Sequence, residues 1–293
     1  MMPTTNPSTI SPSILTLSYF PSFQLKISTN YPSQLPVSVP TNEPSFDWTT
    51  TLNDIMWPVK DQGLCSACWA FAQVASMEVA YFQKYGVLNS FSEQLLVSCD
   101  FQELGCNGGS PYRSLLWLQS NGGLTSEEEF PYSSGNTGLA GPCLTGYQLM
   151  IPPAYPSRLV KVKPLSAVAL EAAIDINPVI ILLQADSLVF QLYIGGIINS
   201  PSCGGSNLNH AMVAVGYGTM NGIRYIKARN QWSVYWYYFN IKLTFNSIKH
   251  VISFYYQKYI LYNNWGDNGY VYIARDPVAI YCGILTFPSY PLL

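Results

Sequence analysis

The sequence predicts an α+β protein with a helical first half and a second half built of strands. Three observations predict it. The run from Cys68 to Lys84 is rich in Ala and contains no Gly or Pro, which is the composition of a mostly buried helix. Beyond residue 178 the pattern changes to short apolar runs and polar/apolar alternation, both strand signals. Asn221-Gly222 separates two such runs and reads as a hairpin turn. At 293 residues the chain suits two domains, or two lobes of one, at about 150 residues per domain.

Composition narrows the function classes. Hydrophobic residues make up 48% and charged residues 10%, so a sizeable core is expected and disorder throughout is excluded. Lys and Arg number 14 against 16 Asp and Glu, a net charge of -2. No basic stripe is available for neutralising phosphates, so no nucleic-acid partner is expected. No window of about 18 apolar residues occurs, so no membrane partner is expected either.

In order along the chain, residues 1–45 are rich in Ser, Thr, Pro and Asn, with Lys26 and Glu43 as the charges; an extended lead-in is expected. Ile14 to Phe20 is broken by Thr16 and Ser18 and has no basic residue before it, so it falls short of a signal peptide. The Cys68–Lys84 helix is expected to stop at Gly86. Ser92 caps a second expected helix at Glu93-Gln94-Leu95-Leu96, and Ser110 to Gln119 reads as a third. Pro178 to Leu183, Ala211 to Val215 and Gly222 to Ala228 are the expected strands. His210 opens one arm of the hairpin and Asn230 ends the other, so the two are expected to be near cross-strand neighbours. Residues 235–263, dense in Tyr, Phe, Ile, Lys and Asn, match nothing around them: an added hairpin or helix, or translated non-coding sequence.

Seven cysteines occur, at 65, 68, 99, 106, 143, 203 and 282. An odd count leaves at least one thiol unpaired, and six allow 15 pairings. Pairing of the six would mean an oxidising compartment. Cys65 and Cys68 have half of a zinc spacing, but the scattered remainder and only two histidines supply no second pair; no metal or other cofactor is expected. Cys68, at the first position of a helix, feels the positive end of the macrodipole, which favours thiolate, as would a nearby imidazolium. It is the candidate nucleophile; the other readings are a redox pair with Cys65 and a small buried residue. A thiolate nucleophile needs an acid–base partner. His250 lies in the anomalous segment, whereas His210 stands beside Asn230, whose amide oxygen can hold the ring's tautomer.

These residues sit within a series of blocks: PVKDQG, CSACWAF, FSEQLLVSCD, GCNGGSP, EEFPY, FQLYIGGI, NHAMVAVGYG, ARNQW and NWGDNGYVYIARD. In that order they resemble the papain-like cysteine proteases from Phe46-Asp47-Trp48 almost to the C-terminus, interrupted only at 235–263. The resemblance implies a two-lobed fold, a helical lobe near 60–150 and a β-barrel-like lobe near 151–290, with the active-site cleft between. It implies Cys68 as nucleophile, His210 as base and acid, Asn230 as the residue orienting the histidine, and Gln62 with the Cys68 N–H as the oxyanion hole. Trp232 would shield the His–Asn bond, Gly108 and Gly109 would pair with an extended peptide, and Pro111, Leu208, Ala211 and Phe287 would line the pocket for the side chain before the scissile residue. All four are uncharged, so an apolar side chain is expected there. Disulfides would be Cys65–Cys106, Cys99–Cys143 and Cys203–Cys282. The implied protein is a monomeric endopeptidase acting on polypeptides, lysosomal, vacuolar or secreted, with cystatin-like or pro-segment inhibitors as further partners. Endopeptidase action is implied because the paired histidines of the family's exopeptidase branch have no counterpart.

Three departures from the family pattern stand out. Ser66 and Ala67 replace the usual Gly and Ser; a position needing positive φ would strain Ser66 by about 1–2 kcal/mol. The segment 235–263 begins right behind Asn230 and Trp232 and is placed to displace both. Residues 1–45 are too short and Pro-rich for the family's helical pro-segment. The alternative to a working enzyme is therefore an inactive relative that at most binds peptides, or a reading frame with a retained intron.

Overall fold

In the computed structural model, which describes residues 45–50, 56, 58–233, 265–275 and 281–293, the Ala-rich run forms α1 (Cys68–Tyr85), buried without a break from Trp69 to Phe82. Gly86 ends it at φ 70°, its N–H donating to Phe82 O at 2.7 Å. Such a left-handed terminus is one that glycine adopts at little cost. Ser92 Oγ accepts from Leu95 N–H at 3.0 Å to open α2 (Glu93–Cys99), and Ser110 with Pro111 opens α3 (Pro111–Asn121). Three short helices follow, α4 (Ser134–Thr137), α5 (Ala167–Ile174) and α6 (Leu188–Gln191), the last two capped by Ser166 and Ser187.

The strands are β1 (Phe46–Asp47), β2 (Arg158–Lys161), β3 (Val179–Leu183), β4 (Ile197–Ile198), β5 (His210–Met220), β6 (Ile223–Arg229), β7 (Tyr270–Ala274) and β8 (Ser289–Leu292). They form one sheet in the order β2-β8-β3-β5-β6-β7-β4, with β1 added against β5. Every pairing is antiparallel except β4 with β7. The β5–β6 hairpin closes between Met220 and Ile223, with Asn221 at φ 51° and Gly222 at φ 78°, as a type I′ turn requires. Among the described strands the order is linear, so the half expected to be barrel-like is an open sheet. Its outer members, β2 and the two-residue β4, do not pair with one another.

Helix α1 lies between the two halves. It packs on α2 and α3 and on β3, β5 and β8. Ser76 Oγ donates to Pro178 O at 2.6 Å and accepts from Asn177 Nδ2 at 2.9 Å, fixing mid-helix to the entrance of β3. The disulfides are Cys65–Cys106, Cys99–Cys143 and Cys203–Cys282, the pairs the resemblance implies. They close segments of 41, 44 and 79 residues; in the chain-entropy account each stabilises the fold by about 4 kcal/mol. Cys68 is the free cysteine. All described residues belong to the unit Ser33–Leu293. The lead-in up to residue 44, the segment 235–263 and His250 lie outside the described residues.

Candidate active site

The turn before α1 is held from several sides. Asp61 Oδ1 accepts from Gly63 N–H at 2.8 Å, Leu64 N–H donates to Gly135 O at 2.8 Å, and Ser66 N–H donates to Cys106 O at 3.0 Å. The Cys65–Cys106 disulfide adds a covalent tie. Positive φ falls on Gly63 and not on Ser66, so Ser66 is accommodated without the strain its departure suggested. The turn delivers Cys68 as the first residue of α1, half-buried.

The opposite wall is the β5–β6 hairpin. His210 opens β5 and is 7% exposed. Asn230 follows β6, and its N–H donates to Gly269 O at 3.0 Å. His210 Nε2 lies 2.8 Å from Asn230 Oδ1. A carbonyl oxygen accepts only, so the ring carries its proton on Nε2 and leaves the Nδ1 lone pair free. The backbone of Ala211, the residue after His210, acts on the Cys68 thiol to favour its charged form, which sets the thiol facing the start of β5.

Residues 230–233 also run antiparallel to 60–62. Gln62 N–H donates to Gln231 O at 2.9 Å, Ser233 N–H to Lys60 O at 3.1 Å, and Asp61 bridges Trp232. This strip carries Gln62 to the same place. Trp232 lies 4.9 Å from the His210 ring, tilted 36°, and is flanked edge-on by Phe190 at 5.7 Å and Trp265 at 5.2 Å. Asn230 and Trp232 are therefore not displaced; Trp265 rejoins the same cluster, anchored by its Nε1–H on Phe190 O at 3.0 Å.

A family model described as papain family cysteine protease matches residues 42–253. The chain belongs to the papain family. It is 32% identical to digestive cysteine proteinase 1 of Homarus americanus over 84% of this chain and 66% of that one. To cathepsin L of Sarcophaga peregrina it is also 32% identical, over 84% and 63%. The chain thus spans just under two thirds of the length of these curated relatives. Among solved structures, the bromelain protease of Ananas comosus in complex with the E64 inhibitor is 30% identical, with TM-score 0.68, over 86% of this chain and 99% of that one. The proform of the ragweed pollen allergen Amb a 11 is 26% identical, with TM-score 0.67, over 86% and 65%.

Of the other positions the papain-family resemblance points to, Gln62 is buried; its Nε2 donates to Cys65 O at 2.8 Å and its Oε1 accepts from Gln231 Nε2 at 3.1 Å. One of its two amide hydrogens has no acceptor among the described residues. Gly108, at φ 108°, and Gly109 lie beside α1, where a Cβ at Gly109 would meet the Trp69 indole at 2.6 Å. Gly109 is exposed, and neither its N–H nor its C=O is bonded among the described residues. Pro111 is buried at the start of α3, Leu208 is half-buried, Ala211 is buried in β5, and Phe287 is 63% exposed. Pro111 and Phe287 have no bond or ring contact to the Cys68–His210 group among the described residues.

Charge in this site differs from the sequence-based expectation. The helix start was expected to favour thiolate, yet burial pushes the Cys68 thiol up, only partly offset by the backbone N–H groups of Ala211, Trp69 and Cys68 itself. Burial likewise pushes His210 down to about 4, against the hydrogen bond to Asn230. Desolvation outweighs the helix end here and disfavours the charged form of each group.

A pH effect on stability follows. His210 takes up a proton near 6.5 when unfolded but only near 4 when folded. Its contribution is present above about 6.5 and is lost as pH falls towards 4, a gap worth about 3 kcal/mol. Denaturant unfolding of the native chain and of His210→Gln at pH 6.5 and pH 4 is expected to show an acid loss about 3 kcal/mol smaller in the variant. Equal losses would mean a hydrated imidazole.

Sequence reasoning missed Gln231, Phe190, Trp265 as a member of the aromatic cluster, and the pairing of half-buried Lys60 with the buried Glu78 and Glu93. For Gln231 the available signal was its place between Asn230 and Trp232.

Proposed function

We propose that this chain is a cysteine endopeptidase in which Cys68, His210, Asn230 and Gln62 carry the chemistry. The observation that carries the reading is a free thiol on the first turn of α1, within electrostatic reach of the backbone beside a histidine whose Nε2 is held by Asn230. As Cys68 Sγ attacks the scissile carbonyl carbon, Nδ1 of His210 takes the thiol proton. The carbonyl π electrons move to oxygen, and the oxyanion is received by the remaining N–H of Gln62 and by the Cys68 N–H, which has no partner within the helix. Collapse expels the amine, which takes the proton from the imidazolium and leaves a thioester. Water, deprotonated by His210, then hydrolyses the thioester and regenerates the thiol. Asn230 keeps the tautomer, and Trp232 with its aromatic neighbours keeps water from the His–Asn bond.

An extended peptide would add to the unbonded N–H and C=O of Gly109, beside Gly108. Pro111, Leu208, Ala211 and Phe287, all uncharged, favour an apolar side chain before the scissile residue. Cystatin-like proteins and pro-segments would occupy the same cleft. Three disulfides suit a lysosomal, vacuolar or secreted monomer. Incubation with a peptide library is expected to give cleavage at internal bonds, with apolar residues enriched at that position by about tenfold or more, the worth of a filled apolar pocket. Enrichment of Arg overturns the pocket assignment, release of terminal residues alone overturns endopeptidase action, and no cleavage by folded protein overturns the whole reading.

A further inference from the structure

Gln231 lies between the base and the candidate oxyanion donor, and nothing assigned so far uses it. Its side chain is 4% exposed. Its Nε2 lies 2.9 Å from Ala211 O, 3.1 Å from Gln62 Oε1 and 3.3 Å from His210 Nε2. An amide nitrogen has two hydrogens. Ala211 O and Gln62 Oε1 can only accept, so both hydrogens are committed and the nitrogen end of the amide is defined by its partners. His210 Nε2 already donates to Asn230, so its contact with Gln231 sets donor against donor and is not a bond.

The consequence falls on Gln62. Its backbone N–H is bonded to Gln231 O, and its Oε1 to Gln231 Nε2. Rotating the Gln62 amide by half a turn would bring its nitrogen against the Gln231 nitrogen and leave Cys65 O without its donor. The amide is therefore locked with its N–H end on the Cys65–Cys68 side. We infer that Gln231 is a positioning residue for peptide hydrolysis, acting through the Gln62 amide and anchored to the base strand at Ala211 O. The inference rests on the endopeptidase reading.

Gln231→Met retains an unbranched side chain of similar length and removes both donors. For a peptide amide substrate, kcat is expected to fall about tenfold with KM within about twofold, part of the loss that deleting an oxyanion donor produces. Alkylation of Cys68 by iodoacetamide passes through no oxyanion, and its rate should stay within about twofold. In a Gln62→Ala background, Gln231→Met should have no further effect on kcat, the signature of one residue acting through the other. Gln231→Glu serves as a second variant of native shape: hydrolysis should again fall, without a fall in alkylation. Unchanged hydrolysis in both variants overturns the inference, as does a parallel fall in hydrolysis and alkylation, which marks a merely structural role. Failure of the native chain to hydrolyse peptides while folded is a separate result; it removes the endopeptidase reading and the inference with it.

Discussion

Replacement of Cys68 by serine is expected to lower peptide hydrolysis by at least about 10⁴-fold, the scale on which loss of a nucleophile acts. The reason lies in proton affinities. His210, held near 4 by burial, is a weak base, and even a thiol must be deprotonated here against its own upward displacement. An alcohol is a far weaker acid than a thiol, so the same imidazole cannot activate it. The remaining six cysteines are bound in disulfides and cannot substitute. In the native chain, a thiol-reactive epoxide should therefore modify Cys68, and peptide mapping by mass spectrometry reads the position. His210→Ala should slow that labelling at least about 100-fold, while Cys68→Ser unfolds within about 1 kcal/mol of the native chain. Modification elsewhere, or labelling indifferent to His210→Ala, would remove the catalytic assignment.

Local chemistry made much of this architecture readable in advance. The α1 run is Ala-rich, lacks breakers and ends at glycine, so its limits shift by only one residue, to Tyr85. Ser92 and Ser110 cap the helices they precede, and Asn221-Gly222 supplies the two positive φ values of its turn. These features depend on neighbours in sequence. The short strands β1 and β4 do not: two-residue elements such as Phe46–Asp47 exist because a distant strand offers them bonds. Gly216 shows why β1 can lie there, since a Cβ on it would come within 2.5 Å of Phe46 O. Within the site, Cys68, His210 and Asn230 were legible from residue type and from the hairpin. Gln231 was not, because a glutamine at a strand end usually faces water, and its role depends on residues 60–62 pairing with 230–233. The direction of the thiol's displacement was likewise hidden, since burial is a property of the assembled lobes.

The second large effect concerns Lys60. Its Nζ lies 2.7 Å from Glu93 Oε1 and 3.1 Å from Glu78 Oε1 and donates to Phe91 O at 3.4 Å. The two carboxylate side chains are 1% and 2% exposed. Burial acts to lower Lys60, and the Glu78 and Glu93 charges overcome it and hold the ammonium above its usual range. Burial pushes Glu93 up to about 7, opposed by Lys60 and assisted by Glu78 and Glu127. One cation thus serves two buried acids. Lys60→Met leaves both acids without a counter-charge, and removing one partner of such a group costs about 3–5 kcal/mol. The cost must depend on pH. A carboxyl raised in the folded state contributes stability that is present below its unfolded value near 4.5 and lost as pH rises through its folded value. Without Lys60 that loss goes further, so urea unfolding should show a small deficit near pH 4.5 that grows to about 3–5 kcal/mol at pH 8. Adding Glu93→Gln to the variant should recover much of the deficit at pH 8 and little at pH 4.5. A deficit independent of pH would show that Lys60 acts by packing alone. Because Lys60 O accepts the Ser233 N–H and Gln62 pairs with Gln231 two residues on, loosening this cluster should also reach the strip that holds the Gln62 amide. Hydrolysis by Lys60→Met should therefore fall as pH rises from about 5 to 8, while the protein remains folded.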